Sequence, residues 1–220
     1  MDADFDTHVL VHELTHQMMH FWLGYLPQWV VEGMAEYTGN LPLKNGRFRL
    51  SEAKNGLKEY LEFRKRRMPG GVPEPYPLEK LFAISSEEWT RIMATDNRRT
   101  QRLYLTSYLL VYYFMHLDGE GDGARFARYM RASAEPVRRV EAHEKALAEF
   151  KRRPDVKTNP DGSFVYPRDL QPPALPRDLF FGASREQLLK QNLQVLLDGR
   201  TEAELMEQVR AAYRAHQIKM

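Results

Sequence analysis

Cysteine is absent from all 220 residues. That excludes disulfides, thiolate-bound zinc and thiol nucleophiles. It does not separate cytoplasm from exterior, since many exported proteins manage without disulfides. Long apolar runs are missing as well. The nearest approach, LYLTSYLLVYYFMHL, is too short and too polar at its edges to span a bilayer. The opening MDADFD is acidic where an export leader would be basic. As written, the chain reads as soluble and cytoplasmic. A truncated or processed form, which a chemically loaded helix so near residue 1 resembles, would be exported. Excess charge of one sign is also lacking: 32 basic against 30 acidic side chains leave a formal net charge of +2. That balance asks for no nucleic acid partner, and the clusters FRKRRM, DNRRTQR and KRRPD read as solvated helix ends. No internal repeat is present.

What remains is an ordinary globular composition, 43% hydrophobic and 28% charged, on a chain long enough to bury a sizeable core. The pattern predicts a mainly α fold. A first helix spans residues 5–23, with Leu10, Leu14 and Phe21 as apolar companions of its histidines and Gly24 as its stop. A second runs from Pro27 to Thr38. LPLKNGRFRL reads as a small hairpin turning at Asn45-Gly46. A third helix follows, capped by Ser51, and the proline-rich MPGGVPEPYP after it is an irregular loop that borders a cleft. Further helices are expected at 86–94, with Ser85 or Ser86 as cap, and at 99–117, 122–133 and 137–151. GEGDG is a turn, lacking the spaced oxygen ligands of a calcium loop. Three parts result: a core over 1–152, a proline-rich extended segment over 153–183, and a C-terminal helical pair over 184–220. The last helix is capped by Thr201 with Glu204 three residues on.

The chemistry is concentrated in HVLVHELTHQMMHF. On helical geometry His12, His16 and His20 lie one above another, and Glu13 sits about 100° round from His12. Two imidazoles for a metal, with a carboxylate beside the water it activates, is what a metallopeptidase needs. With seven histidines in the chain, H-E-x-x-H alone would arise by accident in roughly one such chain in fifty, so its surroundings decide. The companion stretch is PQWVVEGMAEY. A catalytic zinc takes three protein ligands and keeps one position open. Glu32 and Glu36, one turn apart among apolar and aromatic neighbours, face the same way. One can bind metal while the other accepts the outer ring N–H of a liganding histidine. Gly33 between them allows close helix approach near the metal. His20 and His8 are read as packed or cleft-lining rather than ligands, and His116, His143 and His216 as surface or core.

H-E-x-x-H followed by W-x-x-E-G-x-A-E-Y resembles the gluzincins, the thermolysin-like zinc metallopeptidases, and within them a bacterial branch carrying H-E-x-T-H-Q. The resemblance covers residues 8–40 and, more weakly, 102–117. It implies His12, His16 and Glu32 as ligands of one zinc per chain, Glu13 as general base and Glu36 as the acid behind the ligands, within hydrogen-bonding distance of the outer nitrogen of His12 or His16, His12 being favoured. It also implies a later helix with a tyrosine and a serine, matched here by Tyr104 and Ser107. Tyr104 would then face the developing oxyanion, with Tyr108, one turn on, as the alternative.

The implied fold is a zincin-like helical core that lacks most of the usual N-terminal sheet, whose edge strand pairs with the peptide. The hairpin at 41–50 or a second subunit could substitute, or the chain is a piece of a larger peptidase. Two functions follow as expectations. The first is zinc-dependent hydrolysis of a peptide or protein substrate. The second is a non-catalytic interaction module on the same scaffold, whose metal position would be closed by a fourth protein ligand such as His20.

Overall fold

The computed structural model describes residues 3–67, 71–177 and 182–218. The fold is mainly helical, as expected. Helix α1 spans Ala3–Met18 and continues through a 3-10 turn, His20–Tyr25. Pro27, with extended backbone, starts α2, Gln28–Gly39. A two-stranded hairpin, β1 (Leu43–Lys44) and β2 (Arg47–Phe48), turns at Asn45 and Gly46, both with positive φ, as Asn-Gly favours. Ser51 does not cap the next helix. It lies inside a 3-10 turn, Leu50–Glu52, that leads into α3, Ala53–Arg67. The short helix α4, Leu78–Ala83, was not legible as a separate element. Helix α5, Ser86–Thr95, is capped by Ser85, whose side chain accepts from Glu88 N–H. Helix α6, Asn97–His116, is capped by Asp96.

α6 is the axis of the molecule. From Leu105 to Phe114 every residue is buried, so this helix is apolar on all sides and must be enclosed by others. α2 is sandwiched between α6 and α1, with Trp29, Val30 and Val31 in the core. The glycine at position 33 permits close approach, but to α6 rather than to α1. A Cβ there would stand 2.6 Å from the carbonyl oxygen of Ser107 and 2.8 Å from Val111 Cγ2.

α1 attaches by one face only. His8, Val11, His12, Thr15, His16 and Met19 repeat at three- and four-residue steps and are buried or half-buried. Leu10 and Leu14 are not their companions. Each lies two residues from a histidine, about 200° round the helix, and both are exposed. Met18 at 83% and Phe21 at 71% extend this bare apolar ridge.

Beyond α6, the glycines of GEGDG take positive φ and end the helix, as a turn requires. The expected break near residue 136 does not occur. Helix α7 runs from Ala124 to Lys151 through Pro136, which is buried with Ser133 and Val137. Packing of this stretch against the 3-10 turn and the helix at 182–197 holds the chain helical across a proline that locally disfavours it. Residues 152–177 are mostly turns and irregular chain. They also form a second hairpin, β3 (Lys157–Thr158) with β4 (Phe164–Val165), whose Phe164 meets Phe150 of α7 edge-on.

The final helices are α8, Gly182–Leu197, and α9, Glu202–Ala215, the latter with a complete Thr201–Glu204 capping box. Leu196, Leu205 and Tyr213 belong to the same core as α6, and the Tyr213 hydroxyl donates to Leu109 O at 2.7 Å. Asp118, buried after α6, accepts from Tyr113, Arg125 and Arg200, tying the helix ends together. Among the described residues, no helix is long and apolar enough to cross a membrane.

Candidate metal centre

The site lies where the inner face of α1 meets α2. His12 Nε2 and His16 Nε2 are 3.1 Å apart. Glu32 Oε2 stands 3.6 Å from the first and 3.5 Å from the second. Ligand atoms held ~2.0–2.1 Å from a tetrahedral zinc are separated by about 3.3 Å. The three atoms therefore have the mutual spacing of a ligand triangle. Helix periodicity supplies the two imidazoles, and the short connection through the 3-10 turn to Pro27 brings Glu32 back against them.

The donor set also behaves as one that wants a cation. Glu32 Oε2 and His12 Nδ1 are buried with no hydrogen-bond partner, and a buried, unpartnered carboxylate oxygen is costly. Burial pushes the Glu32 carboxyl up, but His12 and His16 outweigh it and hold the group at about 2. Burial likewise pushes His12 down, yet Glu32, Glu36 and Glu13 reverse the sign and leave its pKa raised. Negative potential from three carboxylates thus converges on His12.

Glu36 is buried, not a solvated residue, and it faces the outer nitrogen of His12 as the spacing predicts. The separation between Glu36 Oε1 and His12 Nδ1 is 3.8 Å, longer than a hydrogen bond. The expected contact is thus one of direction and charge, not a formed bond. His8 is also placed here, with Nε2 3.7 Å from Glu36 Oε2. Two groups consequently lie close enough to hold a metal ion: His12, His16 and Glu32, and His8, His12 and Glu36.

Tyr104 projects from α6 onto the site, its ring centroid 6.4 Å from that of His12 and 6.3 Å from that of Trp89. Burial, then the charges of Glu32 and Glu36, raise its pKa and keep the phenol protonated. Glu13 is exposed, and its charge acts on both His12 and Tyr104. Tyr108 does not line the opening. It is 1% exposed and packs edge-on against Tyr60, with ring centroids 4.7 Å apart. His20 is exposed against Phe21 and belongs to neither group. His116, read as surface or core, is half-buried and bonded to the Tyr37 hydroxyl at 2.8 Å. Ser107 is wholly buried, and its hydroxyl has no hydrogen-bond partner.

His8, one turn before His12, stands at the site where the sequence reads it as packed or cleft-lining, while two further neighbours escaped sequence reasoning. Asn40 carried a weak signal, one turn after Glu36. Tyr60 carried none, since only the tertiary fold sets its buried hydroxyl near Glu36 and Tyr104. Pro73, Glu74 and Tyr76 of the proline-rich loop line a groove with Asp96, Arg98, Arg99 and Arg102. Compared with protein-family models, curated proteins and solved structures, the chain matches none.

Proposed function

We propose that the chain is a zinc-dependent peptidase that hydrolyses peptide bonds with a metal-activated water. The observation that carries this reading is the triangle of His12, His16 and Glu32, with its spacing, its buried unpartnered carboxylate oxygen and the charge focused on it. The same residues carry the resemblance to gluzincins. Zinc suits a His-His-Glu set and, when bound, supplies Lewis acidity toward a carbonyl and acidifies a water.

The chain's own residues then divide the remaining work. Glu13, at the exposed edge, takes the proton from the attacking water and returns it to the leaving amine. Tyr104, kept protonated by burial and by two carboxylates, donates to the carbonyl oxygen as that oxygen gains charge. Glu36 holds negative charge behind His12 and favours its metal-binding tautomer. An open fourth position favours catalysis over a structural role. Among the described residues the triangle has three members, and His20, the obvious fourth, is not one.

The test is metal analysis of protein purified without chelator, with a peptide-library assay alongside. The expected result is about one zinc per chain, lost in His12→Ala and kept in Glu13→Gln, with turnover lost in both. Zinc retained by His12→Ala would overturn the ligand assignment. Full turnover by Glu13→Gln would overturn the mechanism.

A further inference from the structure

Behind the metal triangle stands a second polar group that no step of the proposed reaction uses. The Asn40 side chain, at the end of α2, donates to Glu36 O at 2.7 Å. The same amide nitrogen is 3.1 Å from His8 Nε2 and 3.5 Å from Glu36 Oε2. His8 sits on Gly39, where a Cβ would come within 3.0 Å of its ring. Asn40 is held from the far side by Gly56, whose missing side chain leaves room for the Asn40 carbonyl; a Cβ there would be 1.9 Å from that oxygen. Two glycines therefore seat His8 and Asn40 against one carboxylate.

The His8, His12 and Glu36 atoms lie within reach of one ion. A second metal there is disfavoured, because the two hydrogens of the Asn40 amide serve Glu36 O and His8 Nε2. The His8 lone pair is thereby taken, and a cation would meet an amide donor. A donor network fits better than a second ion.

Resting on the reading that His12, His16 and Glu32 hold zinc, we infer that Asn40 and His8 are positioning residues for Glu36. Asn40, bonded to the Glu36 carbonyl, sets its amide 3.5 Å from Glu36 Oε2 and holds the carboxylate at its own helix end. His8 accepts from the Asn40 amide and fixes its plane. Together they keep Glu36 turned toward His12 Nδ1, so that a zinc-bound His12 finds its acceptor in place. A free Glu36 would instead be drawn toward solvent, since a buried carboxylate without donors is costly.

The experiment is zinc affinity, by competition with a chromophoric chelator, for wild type, Asn40→Leu, His8→Leu, His8→Gln, Glu36→Gln and the double variant Asn40→Leu/Glu36→Gln. Thermal melts of each metal-free protein run in parallel. Asn40→Leu and Glu36→Gln are each expected to weaken zinc about tenfold, and the double variant no further. His8→Leu weakens it several-fold, and His8→Gln, which keeps an acceptor, restores it. Wild-type affinity in both Asn40→Leu and His8→Leu would overturn the inference alone. Multiplying losses in the double variant would also overturn it, as would losses that track the metal-free melting temperature. Should Asn40→Leu fail to fold, the His8→Leu and His8→Gln pair decides. A wild type that binds no zinc would overturn the metal reading and this inference with it.

Discussion

Gly33 on α2 and Ser107 on α6 meet backbone to backbone, with the Ser107 carbonyl occupying the space a methyl group at position 33 would need. Neither partner has a flexible end to swing aside. Gly33→Ala must therefore push α2 away from α6 and tilt the helix that carries Glu32 and Glu36. Overpacking of this kind costs about 1–3 kcal/mol. A lowered melting temperature with weaker zinc binding is expected from denaturation and chelator competition. Unchanged values for both would show that α2 does not depend on this contact.

Glu36→Gln keeps shape and removes charge. With the charge gone, the outer nitrogen of His12 faces a neutral amide, a weaker acceptor than the carboxylate. Zinc affinity or turnover should fall by about ten- to a hundredfold with the fold intact. Glu32→Gln, which removes a proposed ligand, should do more damage to metal binding. The reverse order in a chelator titration would exchange the roles of the two acids.

Tyr104→Phe separates binding from chemistry. The ring still packs between His12 and Trp89, but the donor to the oxyanion is gone. The kcat for a cleaved peptide should fall about 10²-fold while zinc affinity stays at the wild-type level. A kcat within twofold of wild type, or a matching loss of zinc, would remove Tyr104 from the reaction.

Protonation gives a further check because metal-free and zinc-bound protein should respond oppositely to pH. In the metal-free site the raised His12 pKa contributes stability that is fully present below the ordinary imidazole value. It is lost as pH rises through the raised one. The lowered Glu32 pKa contributes stability present above the ordinary carboxyl value and lost as pH falls toward about 2. As pH rises from the ordinary imidazole value, about 6.5, through the raised one, the metal-free melting temperature should thus decline through the His12 contribution. Zinc needs both imidazoles unprotonated, so the rise in melting temperature on adding zinc should grow over the same interval. A zinc-induced shift that is largest at the acid end would contradict histidine ligation.

Much of this was legible in the chain because it depends on local spacing. His12 and His16 share a face by helical period, Pro27 starts α2, Asn45-Gly46 turns a hairpin, and Thr201 caps the last helix. What escaped depends on tertiary choice. Leu10 and Leu14 look like core residues until α1 is seen to be covered on one side. Pro136 reads as a break, yet packing on both flanks carries α7 through it. Gly33 announces a close approach without saying to which helix. Asn40 is an ordinary helix end until Gly56 and His8 close on it.

The bare outer face of α1 has a consequence for how the molecule breathes. Residues Leu10, Leu14, Met18 and Phe21 are already in water, so the apolar surface that peeling this helix from α2 uncovers is confined to its inner face, Val11 and Met19. Local opening costs least where few buried contacts are broken. The His12–His16–Glu32 set would then be the clasp between an easily released helix and the enclosed α2–α6 pair. Backbone amides of α1 should exchange with solvent far sooner than those of α6. Loading the clasp should slow the first and leave the second unchanged, making the ion a fastener for the element that presents it.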